Sequence, residues 1–200
     1  IEEFLDGPQI STESLIVDGQ VYTVGFSDRN YEFLERYAPH IIENGGDLPS
    51  FLEESAQQSI RNIVVMAVKS LGVKNGVIKG DMVLSEGKPY AIEVALRLSG
   101  GYFCTDEIPL NTGIDFVGKA ILLALGDEVD VCDLEPKFNH MVCQRYMFPE
   151  PGNVNGVFIP DWINEDPNIV LFEVRVKPGD IVPKAEHHPA RAGVVIATGI

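Results

Sequence analysis

Basic residues are scarce: 15 Lys and Arg stand against 30 Asp and Glu, a formal net charge of −15. Such a field disfavours nucleic acid and anionic membranes, because the chain carries no basic stripe through which either could bind. Cysteine is also sparse. Cys104, Cys132 and Cys143 are an odd, widely spaced set without a CxxC pair, which favours buried free thiols in a reducing cytoplasm over a metal or disulfide framework. No run of about 18 apolar residues suggests a transmembrane helix, and no internal repeat or low-complexity tract is visible. The first residue is Ile1, with neither an initiator Met nor a basic, apolar leader, so the expectation is a fragment of a longer chain and not a secretory precursor. What is present is ample apolar material: 45% of 200 residues are hydrophobic, enough for a sizeable core in one or two domains.

Taken in order, residues 1–27 read as strands. Glu13 to Val17 and Val21 to Phe26 flank Asp18-Gly19, a strong hairpin signal. Residues 28–50 read as a loop broken by Pro39, Gly45, Gly46 and Pro49, packed down by Tyr31, Phe33 and Tyr37. Ser50 with Glu53 forms a capping-box pattern, and apolar residues then recur at helical spacing from Leu52 to Leu71 before Gly72. Tyr102 to Gly113 reads as loop or broken helix. Asp115 caps a helix over 116–125 with Leu122, Leu123 and Leu125 as core candidates, closed by Gly126. An acidic linker at 127–135 leads into a Gly- and Pro-punctuated, strand-like remainder, with strands expected at 138–148, 156–159, 169–176 and 192–198. The neighbouring His187 and His188 point in diverging directions on a strand, so a shared metal is not expected there. The fold class is α+β: an antiparallel sheet flanked by helices in 1–130, and a small β-rich C-terminal subdomain in 131–200.

One stretch organises the rest: Gly76 to Gly101, GVIKGDMVLSEGKPYAIEVALRLSGG. Strands at Val77 to Leu84 and Pro89 to Ala95 are joined by a polar turn at Ser85 to Lys88. Asp81 lies on one strand and Glu93 on the other, and side-chain alternation lets the two carboxylates converge. Two close acids repel unless a cation or proton lies between them, and an all-oxygen site suits magnesium completed by waters and phosphates. Arg97 adds a positive fork beside the pair, and Ser99, Gly100 and Gly101 offer backbone amides to an anion. The same spacing also fits a surface hairpin with solvated charges.

The run Ile92-Glu93-Val94-Ala95-Leu96-Arg97-Leu98-Ser99-Gly100-Gly101, preceded by Lys79-Gly80-Asp81 and followed by Thr112-Gly113-Ile114-Asp115, resembles the metal-binding core of the ATP-grasp superfamily. Ile1-Glu2-Glu3-Phe4-Leu5 with Gly7-Pro8-Gln9-Ile10-Ser11 is similar to the segment of that family that meets adenine and ribose. The C-terminal tracts Val176 to Asp180 and Arg191 to Ala197 resemble amino-acid ligase and carbamoyl-phosphate-synthase-like members. The resemblance covers about the last two-thirds of the ATP-grasp lobe and its C-terminal appendage.

What the resemblance implies is a ligase that uses magnesium-ATP to activate a carboxylate as an acyl phosphate for attack by an amine. Asp81 and Glu93 would bind one or two magnesium ions, Arg97 would act on the transferring phosphoryl group, and Gly100 and Gly101 would let amides approach the anion. Glu2, Glu3 and Leu5 would hold the adenine edge. Gln9 stands where the family often has a ribose-binding Glu. Ala95 departs from the family's Asn, and Asp81 from its Glu or Gln. The alternatives are a carbamoyl-phosphate-synthase- or carboxylase-like enzyme activating bicarbonate, and a non-catalytic nucleotide-binding module. Small-molecule carboxylate and amine substrates, the missing N-terminal part of the same protein, no nucleic acid, no membrane, a homodimer as an allowed assembly and a cytoplasmic location complete the expectation.

Overall fold

The computed structural model describes residues 3–199. In chain order the elements are β1 (Gln9–Val17), β2 (Gln20–Asn30), α1 (Leu34–Tyr37), β3 (Gly45–Leu48), α2 (Glu54–Leu71), β4 (Gly76–Ser85), β5 (Lys88–Ala95), α3 (Ile108–Thr112), α4 (Phe116–Leu125), β6 (Met141–Met147), β7 (Gly152–Asn153), α5 (Trp162–Glu165), β8 (Ile169–Val174), β9 (Ile181–Val182) and β10 (Gly193–Gly199). Short helical turns of other pitch occupy 103–107, 131–134 and 188–190. The α+β, largely antiparallel class expected from the sequence is present. No single helix among the described residues is long and apolar enough to cross a membrane.

By internal contacts the chain forms two units, one of residues 1–28 and 48–140, the other of 29–47 and 141–200. In the first, the strand order is β5-β4-β1-β2, every pair antiparallel. Both hairpins turn on two residues with positive φ, Asp18 and Gly19 in one, Glu86 and Gly87 in the other, the geometry whose twist matches paired strands. Even-numbered residues of β1 and β4 face α2: Ile10, Ile16, Ile78 and Met82 pack with Ile60, Val64 and Val68 of the helix in one buried cluster. The opposite face of these strands holds Ser11, Glu13, Lys79 and Asp81 together with the buried Leu15 and Val83.

Ser50 does not cap α2. Its hydroxyl donates to Asp28 at 2.5 Å and Phe51 N donates to the other Asp28 oxygen at 2.7 Å, so the helix begins four residues later, with Glu53 at the N-cap and no side-chain cap bond. The helix ends on Gly72 in the left-handed conformation. Asp115 caps α4 as expected, accepting from Gly118 N at 2.9 Å. The core side of α4 is Phe116, fully buried, whereas Leu122 and Leu125 are exposed. A helix apolar all round has no sequence signal for which side turns inward.

Residues 28–50 are not a plain loop. The second unit takes residues 29–47, including α1 and most of β3; Tyr146 N donates to Asn44 O at 2.8 Å and Arg145 forms a two-pronged pair with Asp47 at 3.0 and 2.9 Å. Its strand order is β3-β6-β10-β8, and β7 pairs with β9 in a short ribbon. Tyr37, Ile42, Ala185 and Ala190 form a small core with Phe33 and Phe148. Residues 156–159 carry no strand. Among the cysteines, Cys104 is buried, Cys143 half-buried and Cys132 exposed, all three free; the expectation of buried thiols therefore fails at Cys132, which lies in an exposed acidic turn.

Gly7 fixes how the N-terminal segment meets β4. With φ of +144°, a Cβ there would lie 2.1 Å from the Leu84 carbonyl oxygen, and Leu84 N donates to Pro8 O at 3.0 Å beside it. Gly7→Ala is expected to lower stability by about 2–4 kcal/mol, read as a shift of the urea midpoint.

Candidate active site

The site is built on the face of the first unit's sheet that turns away from α2. Register orders this face in rows. Ser11 lies opposite Asp81, and Asp81 directly opposite Glu93. One step along, Gly25, Glu13, Lys79 and Ala95 form the next row. On the other side lie Gln9, Val83 and Tyr90. Directly opposed residues on antiparallel strands have Cβ atoms about 5 Å apart, so the Asp81 and Glu93 side chains leave their strands side by side on this face. A bulge at β5 immediately follows, between the Asp81 and Met82 positions of the β4–β5 ladder.

The pair is asymmetric. Asp81 is largely covered, with 14% of its side chain exposed; Lys79 Nζ pairs with its Oδ2, and Ser11 Oγ donates to Oδ1 at 3.5 Å. Glu93 is exposed. Among the described residues no group of three or more His, Cys, Asp or Glu converges to hold a metal. Two opposed carboxylates, one open to solvent, are the hard oxygen donors that fit a magnesium ion keeping most of its waters or taking phosphate oxygens. They do not fit zinc, which asks for a closed set of nitrogen and sulfur ligands.

Past β5 the chain turns over this face. Arg97 is exposed, its guanidinium donating to the Leu98 carbonyl at 3.1 Å. Ser99 N donates to both oxygens of Glu13, at 3.3 and 3.2 Å. Cys104 Sγ donates to Ser99 O at 2.9 Å, and Ile108 reaches the gap above Gly25, where a Cβ would meet its Cδ1 at 2.5 Å. Gly100 is exposed, with open space where a side chain would stand, and Gly101 has φ of +66°.

Glu13 is the residue that sequence reasoning missed. It is fully buried, and burial pushes its carboxyl up to about 7, against the opposing pull of the Ser99 hydrogen bonds and of Lys79 and Arg97. The only sequence signal was an acid inside a strand-like run, Ser11-Thr12-Glu13-Ser14-Leu15. Cys104 beside it is pushed up to about 11 by burial first and then by the Glu13 charge, which leaves a protonated, unreactive thiol.

Of the other expected residues, Glu3 and Leu5 lie in the irregular segment before β1, and Gln9 sits one row from Asp81. Glu2 lies outside the described residues. Gln9, Asp81 and Glu93 thus lie in two adjacent rows of one sheet face, the segment carrying Arg97 and Gly100 is held to the next row through Ser99 N and Glu13, and Glu3 and Leu5 precede the Pro8 contact with Leu84.

Residues 145–199 match the family model described as L-amino acid ligase C-terminal domain 2. Among solved structures, the chain is similar to an L-amino acid ligase from Bacillus licheniformis, with a TM-score of 0.81 and 20% identity over 98% of this chain and 47% of that one. It is also similar to the biotin carboxylase domain of a 2-oxoglutarate carboxylase from Hydrogenobacter thermophilus, a dimer in complex with MgADP, ADP and bicarbonate, with a TM-score of 0.65 and 18% identity over 99% of this chain and 43% of that one. Among curated proteins, carnosine synthase 1 of Gallus gallus is 25% identical over 124 residues, 62% of this chain and 13% of that protein. The chain spans less than half the length of each of these relatives. It has the fold of the C-terminal part of an ATP-grasp protein.

Proposed function

We propose that this chain is part of an ATP-dependent carboxylate–amine ligase and carries its metal- and phosphate-handling half. The observation that carries the reading is the direct cross-strand opposition of Asp81 and Glu93, one row from Glu13, which holds the segment after β5 through Ser99 N. In such a reaction a carboxylate oxygen attacks the γ-phosphorus of ATP, breaking its bond to ADP. An amine nitrogen then attacks the acyl carbon, loses its proton and expels inorganic phosphate.

Phosphoryl transfer asks a protein mainly for position and positive charge. A magnesium ion, when bound, neutralises charge on the nucleotide's phosphates and orients them. Asp81 and Glu93 would hold it, Glu93 from the open side and Asp81 from the covered one. Arg97 would meet the charge on the transferring phosphoryl group, and the Gly100 loop lets backbone approach closely. Glu13 holds that loop through Ser99 N. Gln9 would donate to or accept from a ribose hydroxyl, and Glu3 and Leu5 would lie along the adenine edge, with Glu2 as their expected neighbour. The match of residues 145–199 to the L-amino acid ligase domain favours two amino acids as substrates and, with them, a cytoplasmic setting where ATP and amino acids meet.

The bicarbonate alternative is favoured by one observation, the fold shared with a biotin carboxylase domain whose complex holds that anion. ADP and phosphate release by the full-length protein separates the two. Turnover that requires two amino acids supports the ligase; turnover with bicarbonate and no amine identifies the alternative. Nucleotide binding without turnover in any pool overturns both and leaves a binding module.

A further inference from the structure

The row next to the carboxylate pair has an unusual content. Lys79 lies directly opposite Ala95, so the position beside Glu93 on its own strand offers a methyl group and no ligand. The Lys79 ammonium leans along β4 onto Asp81 Oδ2, in an ion pair with side chains only 16% and 14% exposed. On its other flank Lys79 faces Glu13, whose oxygens are fully buried and receive the Ser99 amide. The row on the far side of the pair, Gln9, Val83 and Tyr90, holds no carboxylate. A second divalent ion on this face would have to share Asp81 and Glu93 with the first while standing next to a fixed ammonium.

We propose that Lys79 supplies the second positive charge of this site, so that Asp81 and Glu93 take one divalent cation per bound nucleotide and not two. The inference rests on the ligase reading only in that the pair binds a metal with a nucleotide. Ala95 places only a methyl group opposite Lys79, and loss of Lys79 would leave the phosphates short of one positive charge.

The test counts ions. The full-length protein is titrated with Mn²⁺ in the presence of a saturating non-hydrolysable ATP analogue, and bound Mn²⁺ is read by electron paramagnetic resonance. One Mn²⁺ per bound analogue is expected; two would overturn the inference. Lys79→Met, which keeps the length and apolar stem of the side chain, is expected to weaken the analogue about tenfold or more, and Lys79→Arg to restore most of it. Unchanged affinity in Lys79→Met would overturn the inference even if the count is one. Glu93→Gln tests the underlying site separately: if it binds Mn²⁺ with the wild-type count and affinity, the carboxylate pair is not the metal site, a failure distinct from finding two ions in the wild type.

Discussion

Glu93→Gln is expected to lower ATP turnover by the full-length protein on the order of 10²- to 10³-fold while leaving its melting temperature within about a degree. The side chain is exposed on β5. Gln occupies the same volume and retains a carbonyl oxygen, so what is removed is a negative charge opposite Asp81. The effect should fall on turnover and on the magnesium concentration needed for half-activity together, since a weakened ion site is partly recovered by more metal. Asp81→Asn should resemble it in turnover but lose stability as well, because Lys79 is then left with a neutral partner in a largely covered site. Turnover in Glu93→Gln equal to wild type would remove the metal role assigned to the pair.

Glu13→Gln is expected to stabilise the protein above neutral pH and to impair it as a catalyst. The folded-state pKa of Glu13 is raised to about 7 from 4.5, so the folded protein holds a proton that the unfolded chain releases. Stability from this group is therefore undiminished below about pH 4.5, declines as pH rises to about 7, and stays reduced by about 3 kcal/mol above that. Gln cannot ionise, yet its carbonyl oxygen accepts from Ser99 N. The variant should match wild type near pH 4.5 and exceed it at pH 8 by up to about 3 kcal/mol in urea unfolding. Equal stability at pH 8 would mean that Glu13 is not the source of the loss. The turnover of Glu13→Gln is expected to lose any rise with pH through 7 that the wild type shows.

Much of the site was legible because its signals are local. The strands of the β4–β5 hairpin and the opposition of Asp81 and Glu93 follow from period-two alternation and a turn that fixes the register. The bulge at β5 was not legible, yet it falls immediately beyond the Asp81–Glu93 pair and leaves that pairing intact. The helix from Leu52 to Leu71 was evident, whereas its start was not: Asp28, more than twenty residues upstream, takes the Ser50 hydroxyl and the Phe51 amide. The exposed leucines of α4 escaped for a related reason, since an apolar sequence names no inward side.

The sequence alone determined the elements whose cause lies within a few residues: the two Gly-containing hairpin turns, the Asp115 cap, the Gly72 stop and the pair of acids one hairpin apart. Tertiary structure decided what depends on who stands opposite. It set Lys79 against Ala95 and Glu13, buried Glu13 under Ser99, and joined residues 29–47 to a sheet made from the last sixty residues. Strand pairing over tens of residues is settled by burial and register across the whole sheet, and a charge's cost by the groups that close around it, neither of which is written in the neighbouring sequence.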